Sequence, residues 1–222
     1  MNSIVIMAKA PVPNEVKTRL TPPLRPEEAS RLYHGFLLDK IEQIKNINEV
    51  RRFVAYTPGE AEAFFRNIIP PGFSLFSQVG TDLGERLANV SGKLFAQGAE
   101  KVLILDSDTP NLPTDYIRDG ISRLDEVDVV LGPCEDGGYY LIGMRKFVPE
   151  IFNGIPWSTS EVAESTIRKA QALDLTVSLL PEWYDVDTVM DLKRLISDLD
   201  SPSWNCYFCR NTFTAISFLK LE

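Results

Sequence analysis

Three acidic blocks and one basic loop hold the residue types that could do chemistry. Lys101-Val-Leu-Ile-Leu-Asp106-Ser-Asp108-Thr-Pro110-Asn-Leu-Pro113 ends an apolar run in two carboxylates. Trp183-Tyr-Asp185-Val-Asp187-Thr188 supplies a second acidic pair, and Gly132-Pro-Cys-Glu135-Asp136-Gly137-Gly138-Tyr139-Tyr140 a third. Hard divalent cations such as Mg²⁺ or Mn²⁺ prefer carboxylate oxygens and accept phosphate oxygens as co-ligands, so acids delivered at strand ends suggest a metal-assisted phosphate site. Asp, Thr and Pro also open helices, and Asp-Gly-Gly between apolar runs also makes a hairpin turn, so each block alone reads equally as plain structure.

The basic loop, Lys9-Ala-Pro-Val-Pro-Asn-Glu-Val-Lys17-Thr18-Arg19-Leu20, follows the first predicted strand, where an open α/β sheet binds its ligand. It contains no glycine, which excludes the Walker and dinucleotide fingerprints, because both need close backbone approach. Side-chain grip remains, with lysine as a point charge and arginine as a bidentate fork for phosphate oxygens. Lys9, Lys17, Arg19 and Arg25 oppose Glu15 alone in residues 1–25, a local +3 (four minus one) in a chain of net charge −8. A small anion can be held there, while the acidic remainder disfavours nucleic acid as a partner. Gly84-Glu85-Arg86-Leu87 adds another cation, and a glycine inside its predicted helix calls for close approach of a ligand or another backbone. The single histidine, His34, sits within a predicted amphipathic helix, and no cysteine lies in a basic setting, so neither a triad nor thiol catalysis is expected.

The elements that must position these residues alternate. Residues 4–7, 53–57, 73–77, 102–105, 127–131 and 139–144 read as strands. Between them, Pro26-Glu27-Glu28 opens a helix whose buried face is Ala29, Leu32, Tyr33, Phe36, Leu37, Ile41 and Ile44. Further helices are predicted over 59–67, after Asp82, and from Thr114 as a cap. Ser158-Thr-Ser-Glu161 and Thr188-Val-Met-Asp191 are expected to act as capping boxes, the first starting a helix that runs to about residue 173. Such alternation implies βαβ units, a mostly parallel sheet and helices on both faces. With 222 residues, 44% of them hydrophobic, and no linker, one domain is expected over 1–200, with a packed tail over 201–222. The tail leaves homodimerisation open. Three cysteines offer no disulfide framework, and Cys206-x-x-Cys209 lacks two further nearby zinc ligands. A cytoplasmic protein without a membrane span is expected.

Six ordered blocks resemble a family of small bacterial GT-A-type, nucleotide-diphospho-sugar transferase-like proteins related to nucleotidyltransferases, some assigned as arsenosugar-type glycosyltransferases. The blocks are Lys9-x-Pro-x(5)-Lys17-Thr18-Arg19-Leu20, Gly84-Glu-Arg86-Leu87, Asp106-Ser-Asp108-Thr-Pro110-x-Leu-Pro113, Gly132-Pro-x-x-Asp136-Gly137-Gly138-Tyr139-Tyr140-Leu-Ile-Gly143, Trp157-Ser-Thr159 and Asp185-Val-Asp187-Thr188. The resemblance implies a single-domain Rossmann-like GT-A fold with strand order 3-2-1-4-6-5-7, and a nucleotide lying over the Lys9 to Arg19 loop. It implies phosphate binding by Lys9, Lys17, Thr18, Arg19 and Arg86, and Mg²⁺ or Mn²⁺ held by Asp108 and Asp187, with Asp106 as a further ligand where Asp-x-Asp serves sugar transfer. Glu135 or Asp136 would orient the acceptor or act as base, and Gly137, Gly138, Tyr139, Trp157 and Thr159 would contact substrate. The implied activity is a metal-dependent transferase using a nucleotide or nucleotide-sugar and a small-molecule acceptor, most closely a glycosyltransferase. The alternatives are a nucleotidyltransferase that releases pyrophosphate and a non-catalytic nucleotide-binding protein. Asp106 separates the first two: reaching the metal favours sugar transfer, and turning inward to hold its loop favours nucleotidyl transfer.

Overall fold

The apolar runs resolve into seven strands in a computed structural model that describes residues 1–201 and 209–219. They are β1 (Asn2–Lys9), β2 (Val50–Thr57), β3 (Phe73–Ser77), β4 (Val102–Leu105), β5 (Val129–Pro133), β6 (Tyr139–Met144) and β7 (Val177–Leu179). One sheet contains all seven in the order β3-β2-β1-β4-β6-β5-β7, the order that the resemblance implied. Only β6 breaks the parallel pattern, running antiparallel to both β4 and β5. It can do so because the 134–138 turn joins β5 directly to β6, whereas parallel neighbours need a crossover.

Among the described residues there are seven helices: α1 (Pro26–Lys45), α2 (Glu62–Ile68), α3 (Leu83–Ala96), α4 (Thr114–Arg123), α5 (Val162–Ala172), α6 (Val189–Asp200) and α7 (Arg210–Ser217). Side-chain alternation along β1 shows why both faces are needed. Ile4, Ile6 and Ala8 pack with Leu37, Ile41 and Ile44 of α1 and Ile117 of α4, while Val5 packs with Leu87, Val90 and Leu94 of α3 and Ala163 of α5. A third apolar cluster contains no strand residue. Val16, Leu20 and Leu24 of the β1–α1 loop meet Tyr33 and Phe36 of α1, Tyr184, Val186, and Leu192 and Leu195 of α6.

Local signals set most helix starts. The Glu28 carboxylate accepts from the Arg25 amide at 2.8 Å, and Asp82 accepts from the Glu85 amide at 2.8 Å. Thr188 and Asp191 form the expected reciprocal box, with Thr188 N donating to Asp191 at 2.6 Å and Asp191 N donating to Thr188 Oγ1 at 3.3 Å. Two expected caps are used otherwise. The Thr114 hydroxyl accepts from Gln43 Nε2 at 3.2 Å, tying α4 to α1. Ser158 takes φ 65° and Thr159 Oγ1 donates to the Pro156 carbonyl at 2.7 Å, so residues 158–161 form a turn that precedes α5.

The tail docks through a carboxylate. Asp39 of α1 accepts from Asn211 N at 3.0 Å, Asn211 Nδ2 at 2.8 Å and Thr212 N at 2.7 Å, satisfying amides of the first turn of α7. Cys209 is disulfide-bonded, a bond not expected from the sequence, and Cys206 lies outside the described residues. Among the described residues no helix is long and apolar enough to cross a membrane.

Gly84 answers the question its position raised. A Cβ there would lie 2.7 Å from Trp157 Nε1 and 2.9 Å from the Phe152 carbonyl oxygen, so the glycine lets α3 close on the 149–157 segment. Gly84→Ala gains up to about 1 kcal/mol of helix propensity but overpacks this joint at a cost of about 1–3 kcal/mol. Urea unfolding is expected to show a net loss of stability; an alanine variant as stable as the parent would mean that the joint opens freely.

Candidate active site

The third apolar cluster places the basic loop against the last acidic block. Val16 and Leu20 are buried beside Val186, so the loop is pinned on either side of Lys17 while Asp187 follows Val186. Lys17 itself adopts the left-handed conformation, φ 48° and ψ 39°, which costs a non-glycine residue about 1–2 kcal/mol. That strain persists where surrounding structure over-determines it, and here both neighbours and the side chain are held.

The Lys17 ammonium bridges two carboxylates. It contacts Asp108 Oδ1 and donates to Asp187 Oδ1 at 2.8 Å, with the lysine side chain only 3% exposed. The rings of Tyr33 and Phe36 lie 5.9 and 5.7 Å from Nζ, close enough for cation–π attraction. Burial opposes the charge, yet Asp108 and Asp187 outweigh it and raise the Lys17 pKa above its ordinary value. Burial likewise opposes ionisation of Asp187, but Lys17, with help from Arg19, holds that carboxyl below the usual range. Arg19 Nη1 stands 3.6 Å from Asp187 Oδ2 and is 66% exposed, leaving its fork available to a ligand. Thr18 opens a single turn of 3₁₀-helix at the surface, and Lys9 donates to the Glu15 carbonyl at 2.8 Å.

Lys9, Glu15, Val16, Lys17, Tyr33, Asp108 and Asp187 line a cavity of ≈ 190 Å³. Pockets for drug-sized ligands run to about 300–1,000 Å³, so this one is smaller than a whole nucleotide-sugar requires.

Asp106 and Asp108 part company although only one residue separates them. The Asp106 carboxylate turns inward, accepting from Thr109 Oγ1 at 2.6 Å and lying 3.9 Å from Lys40 Nζ. Lys40 is fully buried on α1 and donates to the Thr109 carbonyl and hydroxyl, both at 2.8 Å. Burial pushes its pKa down to about 8 against the pull of Asp106, and burial also raises the Asp106 carboxyl despite Lys40. The sequence reading passed over Lys40. Its signal was a lysine four residues after Phe36 and seven after Tyr33, on a face that otherwise must be apolar.

A second acidic group lies where β5 ends. Cys134 pairs in parallel with Trp183, and Glu135 N donates to the Trp183 carbonyl at 2.9 Å, so Asp136 and Asp185 continue alongside each other. One donor atom each from Cys134, Asp136 and Asp185 lies within 4.8 Å of the others. Burial raises the Cys134 thiol pKa, and burial together with Asp187, Asp136 and Asp106 pushes Asp185 up to about 7. The donor sets fit a divalent cation in two places. Asp108 and Asp187 offer oxygens shared with one lysine, whereas Asp136 and Asp185 have no ion pair among the described residues.

Other expected site residues serve joints. Glu135 receives Arg194 Nη1 on both oxygens, at 2.9 and 2.8 Å, and Arg194 in turn lies 3.9 Å over the Tyr184 ring. Gly137 takes φ +89°, and a Cβ there would lie 2.0 Å from the Ser160 oxygen; Gly138 N donates to Asp136 Oδ1 at 2.8 Å. Tyr139 and Trp157 meet edge-to-face, Thr159 holds its own turn, and Arg86 Nε donates to the Gly80 carbonyl at 3.2 Å. None of these lines the Lys17 cavity.

The fold is that of the nucleotide-diphospho-sugar transferase-like proteins. Residues 40–159 match a family described as uncharacterized protein conserved in bacteria (DUF2064), and the chain belongs to that family. A crystal structure from Desulfovibrio desulfuricans G20, provisionally described as a nucleotide-diphospho-sugar transferase, is 33% identical over the whole of both chains with a TM-score of 0.86. CMP:2-keto-3-deoxy-manno-octonic acid synthetase complexed with CTP shares the fold at 13% identity, covering 90% of this chain and 98% of its own, TM-score 0.59. 4-diphosphocytidyl-2C-methyl-D-erythritol synthase from Anaerococcus prevotii DSM 20548 does so at 14%, covering 90% and 97%, TM-score 0.58. These structural neighbours are transferases. No curated protein matches the chain.

Removing Lys17 leaves Asp108 and Asp187 facing each other without their common counter-ion. Because both acids are partly exposed, Lys17→Met is expected to cost about 1–3 kcal/mol near neutral pH, below the figure for a fully buried pair. A double-mutant cycle with Asp187→Asn should return a favourable coupling, and additive losses would show that the bridge contributes nothing. Asp185 gives a pH signature. Its pKa rises from 3.8 unfolded to about 7 folded, so the folded state holds more protons between those values. Stability then falls as pH rises through that window and levels above it. Urea unfolding of the parent should show this slope and Asp185→Asn a shallower one, the remainder coming from the raised Asp106; identical slopes would place Asp185 at its ordinary pKa.

Proposed function

We propose that the chain is a transferase acting on a nucleotide-activated donor, with a nucleotide-diphospho-sugar as the leading substrate class. The observation that carries this reading is the Lys17 bridge between Asp108 and Asp187 at the floor of a small cavity. A diphosphate entering the cavity meets Lys17 as a fixed, desolvated charge and Lys9 as a second lining lysine, with the exposed Arg19 beside Asp187 available as a bidentate fork. Charge that builds on a departing nucleoside diphosphate is stabilised by groups already in place, the term that usually contributes most to such transfers.

Asp108 and Asp187 are the residues that would hold Mg²⁺ or Mn²⁺, and such an ion would supply further positive charge to the leaving phosphates. In sugar transfer the acceptor hydroxyl attacks the anomeric carbon, the bond to the diphosphate oxygen breaks, and the hydroxyl proton passes to a carboxylate. Asp136 is the acid proposed for that proton, since Glu135 is engaged by Arg194. Residues 1–200 would carry the reaction, with the tail bracing α1.

A second reading rests on Asp106. Its inward turn toward Thr109 and Lys40 favours nucleotidyl transfer, in which a phosphorylated acceptor attacks the α-phosphorus and pyrophosphate leaves. Thermal shift with nucleotides and nucleotide-sugars, with and without Mn²⁺, tests the shared core. A ligand at a hundred times its Kd should stabilise the fold by about 2.7 kcal/mol, and Lys17→Ala should abolish the shift. Release of nucleoside diphosphate then supports sugar transfer and release of pyrophosphate supports nucleotidyl transfer. If no nucleotide or nucleotide-sugar raises Tm at millimolar concentration, the donor reading fails.

A further inference from the structure

The acids around the site divide by counter-charge, and one group is left over. Asp108 and Asp187 share Lys17, while Asp106 has Lys40 and Thr109. Asp136 uses one oxygen for the Gly138 amide, and neither it nor Asp185 forms an ion pair among the described residues. Two such carboxylates side by side repel each other unless one takes up a proton or a cation lies between them.

The third member of the group points to what that cation is. Cys134 is a free cysteine, 5% exposed, and its sulfur has no hydrogen-bond partner among the described residues. Cys134 belongs to the apolar cluster that includes Tyr140 and Leu180, yet its sulfur lies within 4.8 Å of a carboxylate oxygen from each of Asp136 and Asp185. Tetrahedral bonds of about 2.0–2.3 Å place ligand atoms roughly 3.3–3.8 Å apart, so closure needs movements on the order of 1 Å. The backbone is already fixed by the Cys134–Trp183 bridge and by Cys134 N donating to the Gly138 carbonyl at 2.9 Å.

We infer that Cys134, Asp136 and Asp185 form a second divalent-cation site, distinct in its residues from the Lys17 cavity and suited to a borderline metal such as Zn²⁺ rather than to Mg²⁺. One sulfur and two oxygens match the mixed donor sets that zinc accepts, whereas Mg²⁺ takes oxygen alone. Three protein ligands leave a fourth position for water or a ligand oxygen, the arrangement of an open zinc site rather than a closed structural one. Binding forms the metal–sulfur bond and releases the thiol proton to solvent. The site does not depend on which donor the cavity takes, but it assigns Asp136 to the metal in place of the proton-accepting role proposed above.

Cobalt(II) is the direct probe, because a Co²⁺–thiolate bond produces charge-transfer absorption that oxygen ligands do not. Titration of the reduced full-length chain with Co²⁺ should develop this band with one-to-one stoichiometry, Zn²⁺ should bleach it, and excess Mg²⁺ should leave it. Cys134→Ser should abolish the band, and Asp185→Asn should weaken Co²⁺ binding by on the order of tenfold or more. Asp108→Asn and a Cys206→Ser/Cys209→Ser double variant should retain it, which separates this site from the cavity and from the tail. Co²⁺ binding without the band, a band unchanged in Cys134→Ser, or a band lost only in the tail variant would each overturn the inference. Circular dichroism of each variant verifies folding, and Asp185→Asn provides the test if Cys134→Ser does not fold.

Discussion

One buried ammonium organises this end of the molecule. Lys17 draws together a residue from the loop after β1, one from the end of β4 and one from the approach to α6, segments separated by up to 170 positions along the chain. Electrostatics alone would not hold them, since a desolvated charge must recover its hydration from partners of good geometry. The hydrophobic cluster of Val16, Leu20, Tyr33, Phe36 and Val186 supplies that geometry by burying the backbone on either side of the charged atoms. Ion triad and apolar cluster are therefore mutually dependent: the cluster excludes water, and water exclusion makes the charges strong.

The same logic sorts the remaining acids. Asp106 and Asp108 leave one strand end in different directions because Lys40, buried beneath the turn, takes the first through Thr109 while Lys17 takes the second. Two lysines on opposite sides of a short turn thus decide which carboxylate meets the cavity. Where no lysine arrives, at Asp136 and Asp185, the carboxyl of Asp185 is displaced strongly upward. An acid cluster counted from sequence looks uniform; its chemistry depends on which members are already neutralised.

The fold was largely legible from the sequence because its signals are local or periodic. The continuous apolar run at 102–105, the near-continuous burial of β1 and the box at Thr188 and Asp191 each follow from short-range stereochemistry. Where reading failed, long-range packing had overridden a local preference. Thr114 is drawn to Gln43 across a helix interface, and Ser158 to Glu161 bends into a turn where Gly137 approaches Ser160. Gly84 was recognisable as anomalous, yet only packing identifies Phe152 and Trp157 as what approaches it.

By itself, the sequence determined the order of the first six strands and the helices between them, the placement of acids and bases at strand ends, and the exclusion of glycine-loop phosphate binding, while β7 and α7 were not read from it. These depend on side-chain type, spacing and backbone preference, which act over a few residues. Tertiary structure alone decided that Lys17 bridges Asp108 and Asp187, that Lys40 withdraws Asp106, that Arg194 occupies Glu135, and that Cys134 joins Asp136 and Asp185. Each of these is a pairing between residues distant in sequence. Coulomb energy and desolvation depend on where both partners lie and how much water remains between them, and no spacing along one chain specifies either.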